Sequence, residues 1–404
     1  MRTIKATPII LLVTFLLLVI IEMFARVAYT VKDQSHEMAG ISWYALSADL
    51  GWTRRPGFAG ASPDIGGKYN AFDEQGYFSV DSQQVRRGTQ PRVLFLGDSN
   101  TFGYGVPNDK SFVEIVDQLL PEIDAINLGV VGHTSYQGMH MLFEEAPKLK
   151  PQIAVVSFNF NDRRGVSPDR VDGDLHFQSL ARGQQTSGHL NVLEYSYTFR
   201  ALRSLVKPER AISELPSLDT IVPRVGPDAY RDNLVRIVRF ARENDIEPVF
   251  LLLKDNPIQT AYIRRGIELA EAGDYGGARA QLVRALRERT WFRHLARIRL
   301  AETYTLAGDE EEAKKSLVPQ AFPSYSFGAF PIKMDTDYNL IMQEVAAEYG
   351  VAVADPRQEL DDNPMDYLDF CHPNVNGHER VAEVLVPVLR AALAGQVDRE
   401  RRVN

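Results

Sequence analysis

Ser99 is the residue whose type and setting most clearly suggest chemistry. It follows an apolar run of strand length, Val93 to Leu96, and completes the tripeptide Gly97-Asp98-Ser99. A buried strand that ends on a serine places the hydroxyl at the carboxyl edge of a sheet, where open α/β sheets bind their ligands. A serine hydroxyl is a weak nucleophile until a base takes its proton. Acyl transfer at Ser99 therefore requires a base elsewhere in the chain.

The candidate base lies near the C-terminus, in the stretch Asp369-Phe370-Cys371-His372-Pro373-Asn374. An Asp and a His three residues apart in a turn can hydrogen-bond directly. The carboxylate then holds one imidazole nitrogen and leaves the other to face the serine. We therefore predict that His372 is the general base for Ser99 and that Asp369 orients it.

These two stretches resemble blocks I and V of the SGNH (GDSL-type) hydrolases, which occur in this order and at these places in the chain. The resemblance covers about residues 92–165, 228–257 and 335–393. It implies a flavodoxin-like three-layer α/β fold with a parallel sheet, a catalytic Ser99, Asp369 and His372, and no cofactor.

The same resemblance implies an oxyanion hole with three donors. Gly132 stands where block II has its glycine, whose backbone N–H can approach the substrate closely because no side chain intervenes. Asn161 stands where block III has an asparagine that donates from its side-chain amide, and the backbone N–H of Ser99 is the third donor. The family usually has Gly-x-Asn-Asp at block III, but Asn159 occupies the place of that glycine. This departure puts the local backbone and the room for substrate in question.

Other motifs disfavour phosphate, dinucleotide and metal chemistry. The stretch 97–105 lacks the Gly-Lys-Ser/Thr ending of a P-loop. Gly103 and Gly105 lie too far past the strand for a dinucleotide fingerprint. Asp369, His372 and His378 could be drawn as metal ligands, but no third strong ligand has suitable spacing. We therefore expect neither a metal nor a cofactor.

Two further residues, Cys371 and Arg163, are expected beside the predicted site. Cys371, the only cysteine, is expected to pack rather than to act as a thiol nucleophile, because neighbours in a turn face alternate sides and Ser99 is present. Arg163 either binds an anionic group of the substrate or forms a surface salt bridge.

Strand and helix patterns alternate from residue 93 to the C-terminus, which predicts a parallel sheet with helices on both faces. Strands are expected at 93–97, 125–128, 153–158, 248–253 and 351–354. Helices are expected after a Ser111–Glu114 capping box, at 134–148, along a stripe from 230 to 241, around 340–345 and from about 375 to 393. Leu119 is expected on one apolar face with Phe112, Ile115 and Val116, and Leu340 marks the later helix with Ile341 and Val345.

Two stretches interrupt this alternation. Residues 163–227 are long, polar and rich in Pro and Gly, with a helix candidate at 195–205, and are interpreted as an insertion or lid. Residues 258–318 read as helical and contain an internal repeat, because Gly273-Asp274 recurs as Gly308-Asp309. This period is close to that of tetratricopeptide repeats, which the segment resembles. Two such units are too few to stand alone, so they should dock on the hydrolase body or on a protein partner.

The first thirty residues predict a membrane anchor. Arg2 and Lys5 precede an uncharged apolar stretch from Ala6 to Ile21, long enough to cross a bilayer as a helix. These charges favour a cytoplasmic N-terminus and place the body on the extracytoplasmic side of the inner (cytoplasmic) membrane. A cleaved signal peptide or a buried helix is the alternative.

Composition and length set the remaining bounds. The chain has 404 residues, 45% of them hydrophobic and 24% charged, with a formal net charge of −8. The acidic balance argues against a nucleic-acid partner. We predict the following segments: an anchor (1–29), a membrane-proximal lead-in (30–90), a first hydrolase part (91–257), a helical insertion (258–318), a second hydrolase part (319–394) and a polar tail (395–404). The lead-in resembles the short pre-domain of membrane-anchored SGNH proteins in its stretches 50–57 and 69–72.

The predicted function is that of a membrane-anchored serine esterase or deacetylase. It would hydrolyse acyl esters, above all acetyl esters, of a glycan or lipid-like substrate through an acyl-enzyme. An O-acyltransferase that modifies an envelope or exported polysaccharide would use the same triad. The third possibility is a non-catalytic scaffold that recruits a protein partner through residues 258–318.

Overall fold

The structure is a computed structural model that describes residues 17, 22–23, 43–61, 65–78, 90–166, 171–173, 222–287, 293–316 and 337–403. The chain divides into two units, and every described residue from Trp43 onward lies in the larger one, Trp43–Phe177 with Pro216–Asn404. The fold below is that of this larger unit.

Strands and helices alternate through most of the described chain. The described strands are β1 (Tyr44–Ser47), β2 (Gly51–Arg54), β3 (Ala59–Ala61), β4 (Tyr69–Ala71), β5 (Arg92–Gly97), β6 (Asp124–Asn127), β7 (Ile153–Ser157), β8 (Gly165–Val166), β9 (Val222–Pro223), β10 (Glu247–Leu251) and β11 (Ala352–Ala354). The described α-helices are α1 (Ser99–Phe102), α2 (Phe112–Leu119), α3 (Ser135–Leu149), α4 (Pro227–Glu243), α5 (Pro257–Glu271), α6 (Tyr275–Arg287), α7 (Arg293–Leu306), α8 (Glu310–Ser316), α9 (Asp337–Tyr349), α10 (Arg357–Asp362) and α11 (Val375–Val403).

Five of the described strands form one parallel sheet in the order β11-β10-β7-β5-β6. All five predicted strands are present within one or two residues, and the predicted α/β fold with a parallel sheet is confirmed. The strand β5, which leads to Ser99, lies between β6 and β7. Its carboxyl end therefore sits between the ends of the two strands that precede Gly132 and Asn161.

The sheet is buried on both faces, which accounts for the unbroken apolar runs of its strands. Leu94 and Leu96 point into a core shared with helices α3, α4 and α9. Val93 and Phe95 point into a second core shared with α2 and α11. This gives three layers, helix, sheet and helix.

The helix predictions are confirmed in place, but Leu119 does not lie on the buried face. Ser111 caps α2 by accepting the Glu114 N–H, as its position predicts. Leu119 is 46% exposed, because the buried row of α2 advances four residues at a time through Phe112 and Val116 to Leu120. Leu340 is 53% exposed for the same reason. It lies two residues, about 200°, from both Tyr338 and Met342, which are buried.

The last helix is longer than predicted. Helix α11 runs to Val403, ten residues beyond the predicted end near Leu393. The chain from Gln396 to Arg402 contains one Gln, one Glu and three Arg, which favour a helix.

The lead-in packs onto the hydrolase body. Strands β1 and β2 form one antiparallel pair, and β3 and β4 form another. Trp43, Phe72 and Phe78 form edge-on ring contacts with Phe102 at the end of α1. The lead-in residues 43–61 and 65–78 therefore contribute to the same core as helix α3.

The two ends of the predicted insertion at 163–227 are joined to each other. Strand β8 pairs with β9 in antiparallel fashion, with Gly165 opposite Pro223. Residues 167–170 and 174–221, including the helix candidate at 195–205, lie outside the described residues. The lid interpretation stays a prediction.

Helices α5 to α8 form the predicted helical insertion, and its sequence repeat is a structural repeat. Gly273 and Gly308 both have positive φ, +80° and +81°, and each begins a turn into the next helix. The following residues, Asp274 and Asp309, each accept a backbone N–H at the start of that helix. Assignment to the tetratricopeptide class remains a prediction.

The helical insertion has its own apolar cluster, which touches the hydrolase body. Ile263, Leu282 and Leu300 belong to this cluster, and Phe160 and Phe370 of the body pack against it. The predicted docking of the insertion is therefore made, at least in part, on the body itself.

No helix among the described residues is both long and apolar enough to cross a membrane. The predicted anchor, residues 1–29, lies outside the described residues apart from Leu17, Glu22 and Met23.

Candidate active site

The turn after β5 places Ser99 at the start of α1. Asp98 is the N-cap of this short helix, and its carboxylate accepts the backbone N–H of Asn100 at 2.9 Å. Gly97 permits the tight turn, because a Cβ there would lie 2.0 Å from Thr101 Oγ1 and 2.9 Å from the Ser157 carbonyl. Ser99 is 6% exposed. Local backbone geometry thus fixes the hydroxyl at the carboxyl edge of the sheet.

His372 lies next to Ser99, although 273 positions separate the two in the chain. Its Nε2 is 2.8 Å from Ser99 Oγ, and its Nδ1 is 2.7 Å from Asp369 Oδ2. The three predicted residues form one hydrogen-bonded chain. Their catalytic roles follow from chemistry and are taken up below.

The second oxygen of Asp369 is also in use. Oδ1 accepts the backbone N–H groups of Cys371 and His372, both at 2.9 Å. Burial disfavours ionisation, but the hydrogen bonds from His372 and from these N–H groups outweigh it, so the pKa of Asp369 lies below its usual range. An ionised Asp369 holds the proton of neutral His372 on Nδ1 and leaves Nε2 as an acceptor for Ser99.

Two residues that the sequence did not point to support this chain. The Tyr104 ring stacks on the His372 imidazole, with centroids 4.2 Å apart and planes 26° apart. Asn256 donates its backbone N–H to the Phe370 carbonyl and its side-chain amide to the Asp369 carbonyl. Asn256 directly precedes α5, so the start of the helical insertion is bonded to the Asp369–His372 turn.

Gly132 lies in the loop between β6 and α3, and its φ of +83° favours glycine. The same loop is tied to the nucleophile strand, because the Val130 N–H donates to the Gly97 carbonyl at 3.1 Å. Arg224 donates to the Gly132 carbonyl at 2.6 Å. The residue is thus held beside the β5 turn in a backbone conformation that its sequence position alone did not reveal.

Asn161 lies in the loop after β7 and is 5% exposed. Its amide donates to Asp98 Oδ2 at 3.3 Å, which connects it to the turn that carries Ser99. Burial raises the pKa of Asp98. Because an amide has two N–H bonds, Asp98 can orient Asn161 through one of them while the other serves a ligand.

A small pocket lies between the ends of β7 and β10, beside the residues that flank Ser99 and His372. Its empty volume is about 280 Å³, including open solvent. It is lined in part by Asp98, Asn100, Asn159, Arg163 and Cys371. Asn159, which replaces the family's glycine, therefore reduces this space with an amide rather than closing it.

Arg163 is buried beside the site. Its guanidinium forms a buried ion pair with Asp255, and both side chains are at most 6% exposed. Of the two alternatives predicted for Arg163, the salt bridge is formed, but it is buried, and its partner follows β10, 92 positions away. The other alternative, binding of an anionic group of the substrate, stays a prediction. Among the described residues, Arg163 Nε and Nη1, Asn159 Oδ1 and Asn100 Oδ1 have no hydrogen-bond partner.

Cys371 is buried, and burial together with nearby carboxylates raises the pKa of its thiol well above the usual range. A protonated thiol is a poor nucleophile. Asp369, Cys371 and His372 present potential metal ligands within 4.8 Å of one another. Both nitrogens of His372 have hydrogen-bond partners already, Nδ1 in Asp369 and Nε2 in Ser99.

Comparison with known families identifies the family of the chain. Residues 95–380 match the profile of the GDSL-like lipase/acylhydrolase family. The chain belongs to this family. It is accordingly an SGNH-type serine hydrolase that acts on ester bonds. The matched range begins inside β5 and ends inside α11, so the lead-in lies outside it.

Several solved structures are similar to parts of this GDSL-like hydrolase. A lipase/acylhydrolase from Enterococcus faecalis is 12% identical, covers 75% of this chain and 96% of its own, and has a TM-score of 0.38. An acetyl xylan esterase from Geobacillus stearothermophilus is 14% identical, with 74% and 94% covered and a TM-score of 0.36. An enzyme from the Lake Arreo metagenome in Spain is 13% identical, with the same coverages and a TM-score of 0.36. A search of curated proteins found no match.

Proposed function

We propose that Ser99, His372 and Asp369 are the catalytic triad of an esterase that works through an acyl-enzyme. The observation that carries the proposal is the unbroken hydrogen-bonded chain from Asp369 Oδ2 through both imidazole nitrogens to Ser99 Oγ. A base within hydrogen-bond distance of a serine, itself oriented by a carboxylate, is the arrangement that activates a hydroxyl.

In the first step, Ser99 Oγ attacks the ester carbonyl carbon, and its proton moves to His372 Nε2. The tetrahedral intermediate collapses as the C–O bond to the alcohol breaks, and His372 returns the proton to the departing oxygen. Water then attacks the acyl-Ser99 carbonyl with His372 again as base, which releases the acid and restores the serine. The ionised Asp369 stabilises the imidazolium in both steps.

The proposed oxyanion donors are the N–H groups of Ser99 and Gly132 and the amide of Asn161. Each such donor typically contributes about 10²–10³ in rate. The bond of Asn161 to Asp98 and the positive φ of Gly132 support this assignment, because both restrict the direction in which a donor points.

We further propose that the substrate carries a small acyl group, above all acetyl, on a hydroxylated alcohol such as a glycan. The small pocket beside Ser99 supports this, because Asn100, Asn159 and Arg163 line it and such polar side chains can hydrogen-bond the hydroxyl groups of an alcohol.

The membrane location is part of the same proposal. An uncharged apolar segment from Ala6 to Ile21, behind Arg2 and Lys5, supports a single-pass anchor with the catalytic unit outside the cytoplasm. Such an enzyme would meet envelope or exported polysaccharides at the membrane surface.

The test is hydrolysis of p-nitrophenyl acetate by the purified full chain at neutral pH, with Ser99→Ala as the control. Sustained turnover that Ser99→Ala abolishes supports the esterase. A burst of one p-nitrophenol per chain without further turnover, followed by turnover once a sugar with free hydroxyl groups is added as acyl acceptor, would establish an O-acyltransferase instead. If the wild type and Ser99→Ala hydrolyse p-nitrophenyl acetate at equal rates, and acetylated sugars at equal rates as well, the esterase and the O-acyltransferase are both contradicted and a scaffold is favoured.

A further inference from the structure

The two peptide groups that flank Gly132 are each held by a side chain from a distant part of the chain. The indole N–H of Trp52, in β2, donates to the Val131 carbonyl at 3.0 Å. Arg224, just after β9, donates to the Gly132 carbonyl at 2.6 Å. Trp52 belongs to the lead-in, which lies outside the family-matched residues.

The Trp52 contact bears directly on the proposed oxyanion donor. The Val131 carbonyl and the Gly132 N–H belong to one planar trans peptide, in which C=O and N–H point in opposite directions. A hydrogen bond that fixes the carbonyl therefore fixes the direction of the N–H. Donation to the carbonyl also polarises the same peptide and strengthens its N–H as a donor.

Trp52 is itself held in place by the loop that it orients. His133 Nε2 lies 2.8 Å from the Trp52 carbonyl. Burial, with the cations Arg224 and Arg54 nearby, lowers the pKa of His133 to about 3, so the imidazole is neutral and its Nε2 donates to that carbonyl. The Trp52 ring also covers Gly132, since a Cβ there would lie 3.2 Å from the indole.

Arg224 joins the Gly132 loop to the Asn161 loop. Its guanidinium also donates to Gln137 and pairs with Asp172, and it stacks over the Trp52 ring at 5.2 Å. Its backbone N–H donates to the Arg164 carbonyl, three residues after Asn161. One residue thus connects the two loops from which the proposed donors come.

We propose that Trp52 and Arg224 are positioning residues of the oxyanion hole, Trp52 by orienting the Gly132 N–H through the Val131 carbonyl and Arg224 by holding the following peptide. The inference rests on the proposed function, because it presumes that Gly132 stabilises an oxyanion. Under this proposal the lead-in, residues 30–90, supports catalysis through Trp52 and is not only a spacer.

The decisive variant is Trp52→Phe, which keeps an aromatic ring and removes the indole N–H. We expect kcat for p-nitrophenyl acetate to fall about 5- to 10-fold with KM within twofold, because an N–H used in the transition state loses its orientation. Trp43→Phe is the matched control: it makes the same chemical change in the lead-in, at a residue that packs on Phe102. Its kcat should stay within twofold of the wild type.

A second readout separates positioning from general loosening of the fold. The kcat values for an aryl acetate and its O-aryl thionoacetate are compared, since a thiocarbonyl sulfur accepts hydrogen bonds from the hole poorly. The oxygen-to-sulfur ratio is kcat for the aryl acetate divided by kcat for the thionoacetate. In Trp52→Phe this ratio should fall by about the same factor as kcat for the aryl acetate. Arg224→Lys, which keeps the charge but not the fork of donors, should lower the ratio in the same direction.

Three results overturn the inference. They are an unchanged kcat in both Trp52→Phe and Arg224→Lys, a fall in kcat with an unchanged oxygen-to-sulfur ratio, and an equal fall in Trp43→Phe. Absence of Ser99-dependent turnover in the wild type would instead overturn the proposed function, and this inference with it.

Discussion

Replacement of Asp369 by Asn is the perturbation whose consequence follows most directly from the geometry. In the wild type, Asp369 Oδ2 accepts from His372 Nδ1, and Oδ1 accepts two backbone N–H groups. The Asn oxygen can keep those two backbone bonds, which places its NH₂ group against Nδ1. Nδ1 must then accept, so the proton of neutral His372 moves to Nε2.

A His372 with its proton on Nε2 cannot accept the proton of Ser99. Loss of the correct tautomer in such triads lowers kcat by about 10⁴, or about 5 kcal/mol of transition-state stabilisation. Stability should change little, by about 1 kcal/mol, because both backbone hydrogen bonds remain and the third is kept with its direction reversed, without the charge of the carboxylate. Asp369→Ala removes both backbone acceptors as well and should cost about 2 kcal/mol more in the free energy of unfolding.

The assay is kcat for p-nitrophenyl acetate, with urea unfolding of the same preparations. The reasoning is refuted if Asp369→Asn retains kcat within tenfold of the wild type while its unfolding curve is unchanged. It is also refuted if Asp369→Asn and Asp369→Ala lose the same stability, because the two backbone bonds would then contribute nothing.

Three further predictions concern residues around the site. Cys371→Ala should keep kcat within about threefold of the wild type in the same assay, because the buried thiol is protonated and the serine carries the chemistry; a loss as large as that of Ser99→Ala would contradict this. Burial raises the pKa of Asp162 to about 8, so the folded state retains a proton that the unfolded state has lost above pH 4. Stability should therefore fall between pH 4 and 8, by up to about 1.4 kcal/mol per pH unit from this group. Asp162→Asn should remove that slope in urea unfolding at a series of pH values, and an identical slope in the variant would refute the assignment. Gly129→Ala should lower the free energy of unfolding by about 1–3 kcal/mol, because its Cβ would lie 2.3 Å from the Phe102 backbone nitrogen; an unchanged urea midpoint would count against the close packing of this loop on α1.

The sequence predicted the parts of the molecule whose cause is local. Strand β5 and its turn follow from an apolar run that ends on Gly-Asp-Ser, and the Asp369–His372 bond follows from a spacing of three residues in a turn. The stripe from Tyr230 to Ala241 is buried along its whole length, as its helical period predicts. The turns at Gly273 and Gly308 could be predicted because the pair Gly-Asp recurs there.

The residues that sequence reasoning missed make contacts over long distances in the chain. Trp52 meets Val131 79 positions away, and Arg224 meets Gly132 92 positions away. No periodic pattern in the sequence predicts these hydrogen bonds, because they depend on how the lead-in and β9 pack against the sheet. The buried ion pair of Arg163 could not be predicted for the same reason, since its partner Asp255 follows another strand.

Composition alone also does not predict which residues of a helix are buried. The rows of α2 and α9 advance by four residues, so a single leucine that fits the apolar composition can still point to solvent, as Leu119 and Leu340 do. The long α11 shows the converse, because helix-favouring charged residues extend a helix beyond the end of its apolar face.

The central claim is that Ser99 is the nucleophile, and covalent labelling tests it most directly. The full chain is treated with an aryl fluorophosphonate, which traps an activated serine, and the adduct is located by peptide mass spectrometry. We predict one adduct per chain, on Ser99, which is absent from Ser99→Ala and forms far more slowly in Asp369→Asn. A label on another residue, or an adduct that forms equally fast in Ser99→Ala, would contradict the claim.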